Sequence, residues 1–215
     1  MSGKYLICCL LFLFLLLATQ ESLCAEDPAA CVEEIGIAID AADPDTFQEL
    51  VNIDNVLAKA LDAFVNEARK PENAAKLPPL AAMLVQQLAS PGSAGDGLRA
   101  LVTNEITSFV LHGIGSGSFG GKRVEGNTNA GGFLAPMLAD ASTGRKEIKD
   151  IGAPHSAGKD WLVPFVVHDY GNGRDYPVVG RLVVADNGLR LSEIDNIIDL
   201  LTRIANESQE LETVQ

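Results

Sequence analysis

The most regular alternation along the chain lies late, where Trp161, Val163, Phe165 and Val167 alternate with Leu162, Pro164, Val166 and His168. Period two assigns the two sets to opposite faces of one β-strand, and because both sets are largely apolar, cover is expected on both sides. Pro164 lacks a ladder donor, so it is expected at a bulge or against an unpaired edge. Residues 171–175, Gly-Asn-Gly-Arg-Asp, read as a hairpin turn. A β-branched second strand follows from Tyr176 to Ala185, with Gly180 as a candidate bulge. Asp186-Asn187-Gly188 is a strong type I′ hairpin signal, and Leu189, Leu191 and Ile194 form the third strand of an antiparallel meander.

Ahead of the meander the period changes to helical. Val32, Ile35, Ile37 and Ile39 mark a short helix over Cys31 to Asp40, and Asp43-Pro44-Asp45 caps a second that opens at Thr46 or Phe47. Leu57, Ala60, Leu61, Phe64 and Ala68 share one face of a third helix, which Pro71 ends. Further apolar stripes run from Leu80 to Leu88 and from Leu98 to Phe109. Gly113 to Gly132 holds eight glycines in twenty residues and reads as a turn-rich loop. A short helix is expected from Phe133 to Ala139, and a first strand from Arg145 to Ile151. Ile197, Ile198, Leu201 and Ile204 carry a closing helix, and a polar tail over residues 206–215 is expected to fray. The order is that of an α+β domain over residues 26–205: N-terminal helices on a curved antiparallel sheet, then one C-terminal helix.

Residues 1–25 stand apart. Lys4 precedes an apolar run from Leu6 to Ala18, and polar residues then lead to Cys24 and Ala25, the pattern of a secretory signal peptide. The run of thirteen residues is shorter than the roughly 20 that span a bilayer, so no integral membrane span is expected once the signal is removed. The expected location is secreted or periplasmic. Cleavage after Ala25 would leave Cys31 as a lone cysteine packed as a small hydrophobe, whereas retention of Cys24 would allow a bridge to it.

Charge narrows the partners. A formal net charge of -13 disfavours nucleic acid and anionic membrane, which both require Lys and Arg at the contact. Gly115 to Gly120 fits G-x-G-x-x-G as a string, but a helix precedes it and more glycines follow, so no dinucleotide or other cofactor is assigned. His112, His155 and His168 lack metal-ligand spacing, and Asp40, Asp43 and Asp45 fail the calcium-loop pattern, so no metal is assigned. His168-Asp169 could orient Ser116 or Ser118, a combination too common to define a triad, and no catalytic residue is assigned.

Two stretches, Ala38 to Leu57 and Tyr176 to Leu201, resemble the opening helices and closing strands of small secreted bacterial members of the cystatin-like superfamily that includes nuclear transport factor 2. The resemblance implies a cone whose concave face holds a small apolar ligand or a partner's side chain, with Trp161 and Phe165 as lining residues. Some members of that superfamily are isomerases or dehydratases that set a carboxylate base against a tyrosine or acidic donor. Here Asp169, Tyr170, Asp175 and Tyr176 all lie at the hairpin end, where solvation is expected. The leading reading is a non-enzymatic domain that binds a small apolar molecule or a protein. The alternatives are an acid–base enzyme in the cone and a structural protein that forms a homodimer through the outer sheet face.

Overall fold

A computed structural model describes residues 27–75, 77, 79–123, 132, 134 and 144–212. The expected signal peptide, most of the expected 133–139 helix and much of the glycine-rich segment lie outside the described residues. Helix α1 (Pro28–Ala41) starts at Asp27, whose carboxylate accepts the Ala29 N–H at 2.9 Å, and stops at Ala42 in left-handed geometry. Helix α2 (Pro44–Leu50) is capped by Asp43 through the Thr46 N–H at 3.0 Å. It opens at Pro44 rather than at Thr46, because proline suits the first helical position, where no N–H is needed. Helix α3 (Ile53–Ala68) is capped by Asn52, and the short α4 (Pro71–Ala74) and α5 (Pro79–Leu88) follow.

Helix α6 (Ser93–Gly115) runs past Phe109 into the start of the glycine-rich segment. Gly113 belongs to it for a packing reason: the chain doubles back and lays Phe119 against it, where a Cβ would stand 2.4 Å from the ring. Phe119 also meets Phe109 edge-on at 5.9 Å.

The sheet comprises β1 (Lys146–Lys149), β2 (His155–Ala157), β3 (Asp160–Asp169), β4 (Arg174–Ala185) and β5 (Gly188–Ile194), in the order β1-β3-β4-β5 with β2 also on β3. All these pairings are antiparallel. Strands β3 to β5 are the expected meander; β1 is shorter than expected, and β2 was not foreseen. The Pro164 carbonyl accepts from Gly152 at 2.8 Å, so its ring nitrogen faces the gap between β1 and β2, where a donor is not required. The register shift falls beside Gly180, at Arg181/Leu182, and β5 supplies the extra residue, Ser192. Asn55 of α3 fills that bulge, donating to the Ser192 carbonyl at 2.7 Å and its hydroxyl at 2.9 Å. The bulge is therefore where the helices are keyed to the sheet.

Helix α7 (Ile197–Glu212) closes the described chain. The expected fraying from residue 206 is corrected here: the helix continues to Glu212, and Glu207 is tied to β4 by the contacts given below.

Among the described residues two apolar clusters form the interior. The larger joins α1, α2, the end of α6 and the inner sheet face through Val32, Ile35, Leu50, Ile114, Val163, Phe165 and Leu182 among others. The smaller joins α3, α5 and α6 through Val65, Leu88 and Val102, with Leu134. Cys31 lies fully buried in the larger cluster and is disulfide-bonded, which corrects its expectation as a lone small hydrophobe. No helix among the described residues is long and apolar enough to cross a membrane.

Candidate functional site

Alternation along β3 and β4 sorts the polar residues of the hairpin end onto two faces. Val163, Phe165 and Asp169 are buried and share the inner face with Val178, Gly180 and Leu182 of β4. Helix α1 touches that face through Gly36 against Ile148, and α7 touches it through Tyr176. The opposite face carries Leu162, Val166, His168, Asp175 and Val179.

On the inner face Asp169 is 6 % exposed and accepts from the Lys146 ammonium at 2.9 Å and from the Gly171 N–H at 2.9 Å. Lys146 also donates to the Gly144 carbonyl and stands 5.2 Å over the Phe119 ring. Alongside, the Glu207 carboxylate receives Arg174 at 3.0 Å, Arg203 at 3.2 Å and the Tyr176 hydroxyl at 2.9 Å. Burial alone would raise the Glu207 pKa, but the bonds from Tyr176, Arg174 and Arg203 prevail and hold it below the usual range. Burial, reinforced by the Glu207 contact, pushes the Tyr176 phenol up.

On the outer face the Tyr170 hydroxyl donates to Glu147 at 2.6 Å, and Arg145 covers the Tyr170 ring at 5.1 Å. Asp175 pairs with His168 Nδ1 at 2.6 Å and with Lys149 at 3.0 Å. The Tyr170 bond holds Glu147 low, and the His168 and Lys149 bonds do the same for Asp175. At the far end of this face Arg181 is ringed by Asp195, Asp160 at 3.7 Å and Glu193 at 3.9 Å. Its pKa is raised further, first by the Asp195 bond.

Both carboxylates that face a tyrosine hydroxyl are kept ionised and weakly basic, and both phenols are kept protonated. Adjacent residues of β3 point to opposite faces, so the carboxylate on His168 is Asp175, while Asp169 turns inward to Lys146. Ser118 is buried with its hydroxyl on the Gly113 carbonyl, and Ser116 donates to the same carbonyl. No Ser-His-Asp constellation is assembled from these residues. Among the described residues no group of three His, Cys, Asp or Glu side chains is placed to hold a metal ion.

Phe165 is 5 % exposed within the larger cluster and Trp161 packs against that cluster. Their face is packed against the protein's own helices, and neither side chain lines an open cleft of about 450 Å³ found among the described residues. That cleft lies elsewhere, between residues 48–50 and the β4–β5 hairpin at 185–190. In its wall Arg190 donates to the Gln48 and Val51 carbonyls at the end of α2, a helix-capping role.

The expectation that Asp169, Tyr170, Asp175 and Tyr176 are solvated together is corrected: Asp169 and Tyr176 face inward. Their parity with Phe165 and Val178 was readable in the sequence. Glu207 had no such signal, because it sits in a stretch polar enough to read as a tail. Compared with protein-family models, with curated proteins and with solved structures, the chain matches none.

Proposed function

We propose that this chain is a secreted, non-enzymatic domain that binds a protein partner across the outer face of its sheet. The observation that carries this reading is the position of Leu162, Val166, Val179 and Val183. They form a half-buried apolar strip outside both core clusters, on the face opposite α1 and α7. The strip is flanked by the Tyr170–Glu147 and His168–Asp175 pairs at one end and by Arg181 with three carboxylates at the other. An apolar centre with a polar rim is the anatomy of a protein interface. The excess of carboxylate around Arg181, on a chain of net charge -13, selects a partner that brings apolar side chains with Lys or Arg around them. The same charge disfavours a second copy. A small apolar ligand has less support, because Trp161 and Phe165 are packed against the core. The leader pattern and the disulfide on Cys31 both support export.

The test places a photo-crosslinking residue at Val166, or at exposed Glu33 of α1 as control, and irradiates the protein among the other exported proteins of its host. A discrete adduct from position 166, weakened by salt and abolished by Val179→Asp, is the expected result. No adduct, or the same adduct from position 33, would overturn the reading. An acid–base enzyme retains one supporting observation, the inward Tyr176–Glu207 pair. A low Glu207 pKa, where a general base needs a raised one, weighs against it.

A further inference from the structure

The cleft of about 450 Å³ between the end of α2 and the tip of the β4–β5 hairpin has a layered lining. Leu50 and Leu189 are buried, at 7 % and 6 % exposure, and form its apolar floor. Glu49 and Asp186 line it too but are exposed, so their carboxylates stand at its mouth, one on each wall. Arg190 braces the two walls. It belongs to β5, and its guanidinium donates to the Gln48 carbonyl at 2.6 Å and to the Val51 carbonyl at 3.2 Å. Those bonds turn its charge toward the end of α2. Two carboxylates against one tethered guanidinium leave the lining net negative, on a chain whose balance is already -13. Arg190 also stands opposite Val183 in the β4–β5 register. Val183 is the end of the half-buried outer strip, so the cleft adjoins that strip.

We propose that the cleft takes one lysine or arginine side chain of the protein partner, its aliphatic stem over Leu50 and Leu189 and its cationic end at Glu49 and Asp186. The proposal deepens the reading of the outer face as a protein interface and rests on it. Volume, lining and position each point to that occupant. The cleft has room for a long side chain together with the backbone that carries it. An anion would meet the two carboxylates, and a wholly apolar group would strip them of water with nothing in return. Lysine and arginine meet both requirements on one side chain, an apolar stem and a charged tip. A free small cation would satisfy the mouth but gain nothing from the adjoining strip, whereas a side chain on a protein surface engages both. A basic side chain seated at the margin of an apolar patch also fixes the partner's register, because complementary charge serves specificity more than affinity.

The first arm of the test titrates the isotope-labelled protein with N-acetyl-arginine amide and follows backbone amides by NMR. N-acetyl-citrulline amide, of similar shape without the charge, is the control. The expected result is saturable shifts confined to residues 48–50 and 185–190, absent with citrulline and about threefold or more weaker in affinity in the Glu49→Gln/Asp186→Asn variant. Both substituted residues are exposed, so that variant should keep its thermal midpoint. Equal shifts from citrulline, shifts spread over the whole acidic surface, or an unchanged affinity in the double variant would each overturn the proposal. The second arm repeats the crosslinking from position 166 in the same variant, where the adduct should fall by about threefold or more. An undiminished adduct would overturn the role of the cleft and leave the outer-face interface standing. No adduct from the parent protein would overturn both.

Discussion

Gly180 shows how one position joins strand, bulge and core. A Cβ there would lie 2.7 Å from Leu191 Cδ1 and 3.0 Å from Phe165 Cε1, so the residue is a glycine to let two larger side chains close over β4. Gly180→Ala should cost about 1–3 kcal/mol through overpacking, read as a lower urea midpoint with an unchanged slope. Asn55 is the corresponding polar key, spanning from α3 to both oxygens of the Ser192 bulge. Asn55→Ala should cost about 1–3 kcal/mol by leaving that half-buried site unpaired, and hydrogen exchange should report it first at the β4–β5 junction. Sequence marked Gly180 as irregular but placed the bulge on the wrong strand, since one glycine in a strand serves a bulge or a close approach equally well. Asn55 carried no signal, because its partner lies 137 residues away.

Among elements, the two faces of the sheet should respond differently to the same truncation. Leu182, fully buried on the inner face, should cost about 2–5 kcal/mol as Leu182→Ala. Val179→Ala on the outer face should stay within about 1 kcal/mol, because the strip is outside both clusters. Equal losses in a denaturation series would show that something covers the outer face. Cover on both faces was the expectation from composition, and it holds in degree: Val163 and Phe165 are buried under the helices, while Leu162 and Val166 on the other face are half-buried. Helix α7 carries a pH dependence. Glu207 has a folded pKa below its ordinary value of 4.5, so its contribution is present above that value and is lost as pH falls through the folded pKa. Amides of α7 should therefore lose exchange protection as pH falls below the ordinary glutamate value, and Glu207→Gln should flatten that acid limb. The same sign applies to Glu147 and Asp175, whose bonds to Tyr170 and to His168 with Lys149 lower both.

At the scale of the whole molecule the two apolar clusters meet through α3, whose Ile53 and Val56 join the larger and whose Phe64 and Val65 join the smaller. Leu88→Ala, at 2 % exposure in the smaller cluster, should cost about 2–5 kcal/mol. Amides of α5 and α6 should then exchange faster while those of β3 and β4 keep their protection. A uniform rise across the molecule would mean that α3 binds both clusters into one cooperative unit. By itself the sequence determined the elements that depend on local chemistry: the Asp-Pro cap of α2, the Asp-Asn-Gly turn, the apolar periods and the α+β order they impose. Those signals act within one helical turn or one hairpin, so they are complete within a short window of residues. Tertiary structure alone decided which face of β3 the helices cover, that Asp169 and Tyr176 turn inward while His168 and Asp175 turn outward, and that Glu207 belongs to a packed helix. Each of those depends on which side of a pleated strand meets a partner far away in the chain, and a period of two fixes only that neighbours differ, not which of them is inside.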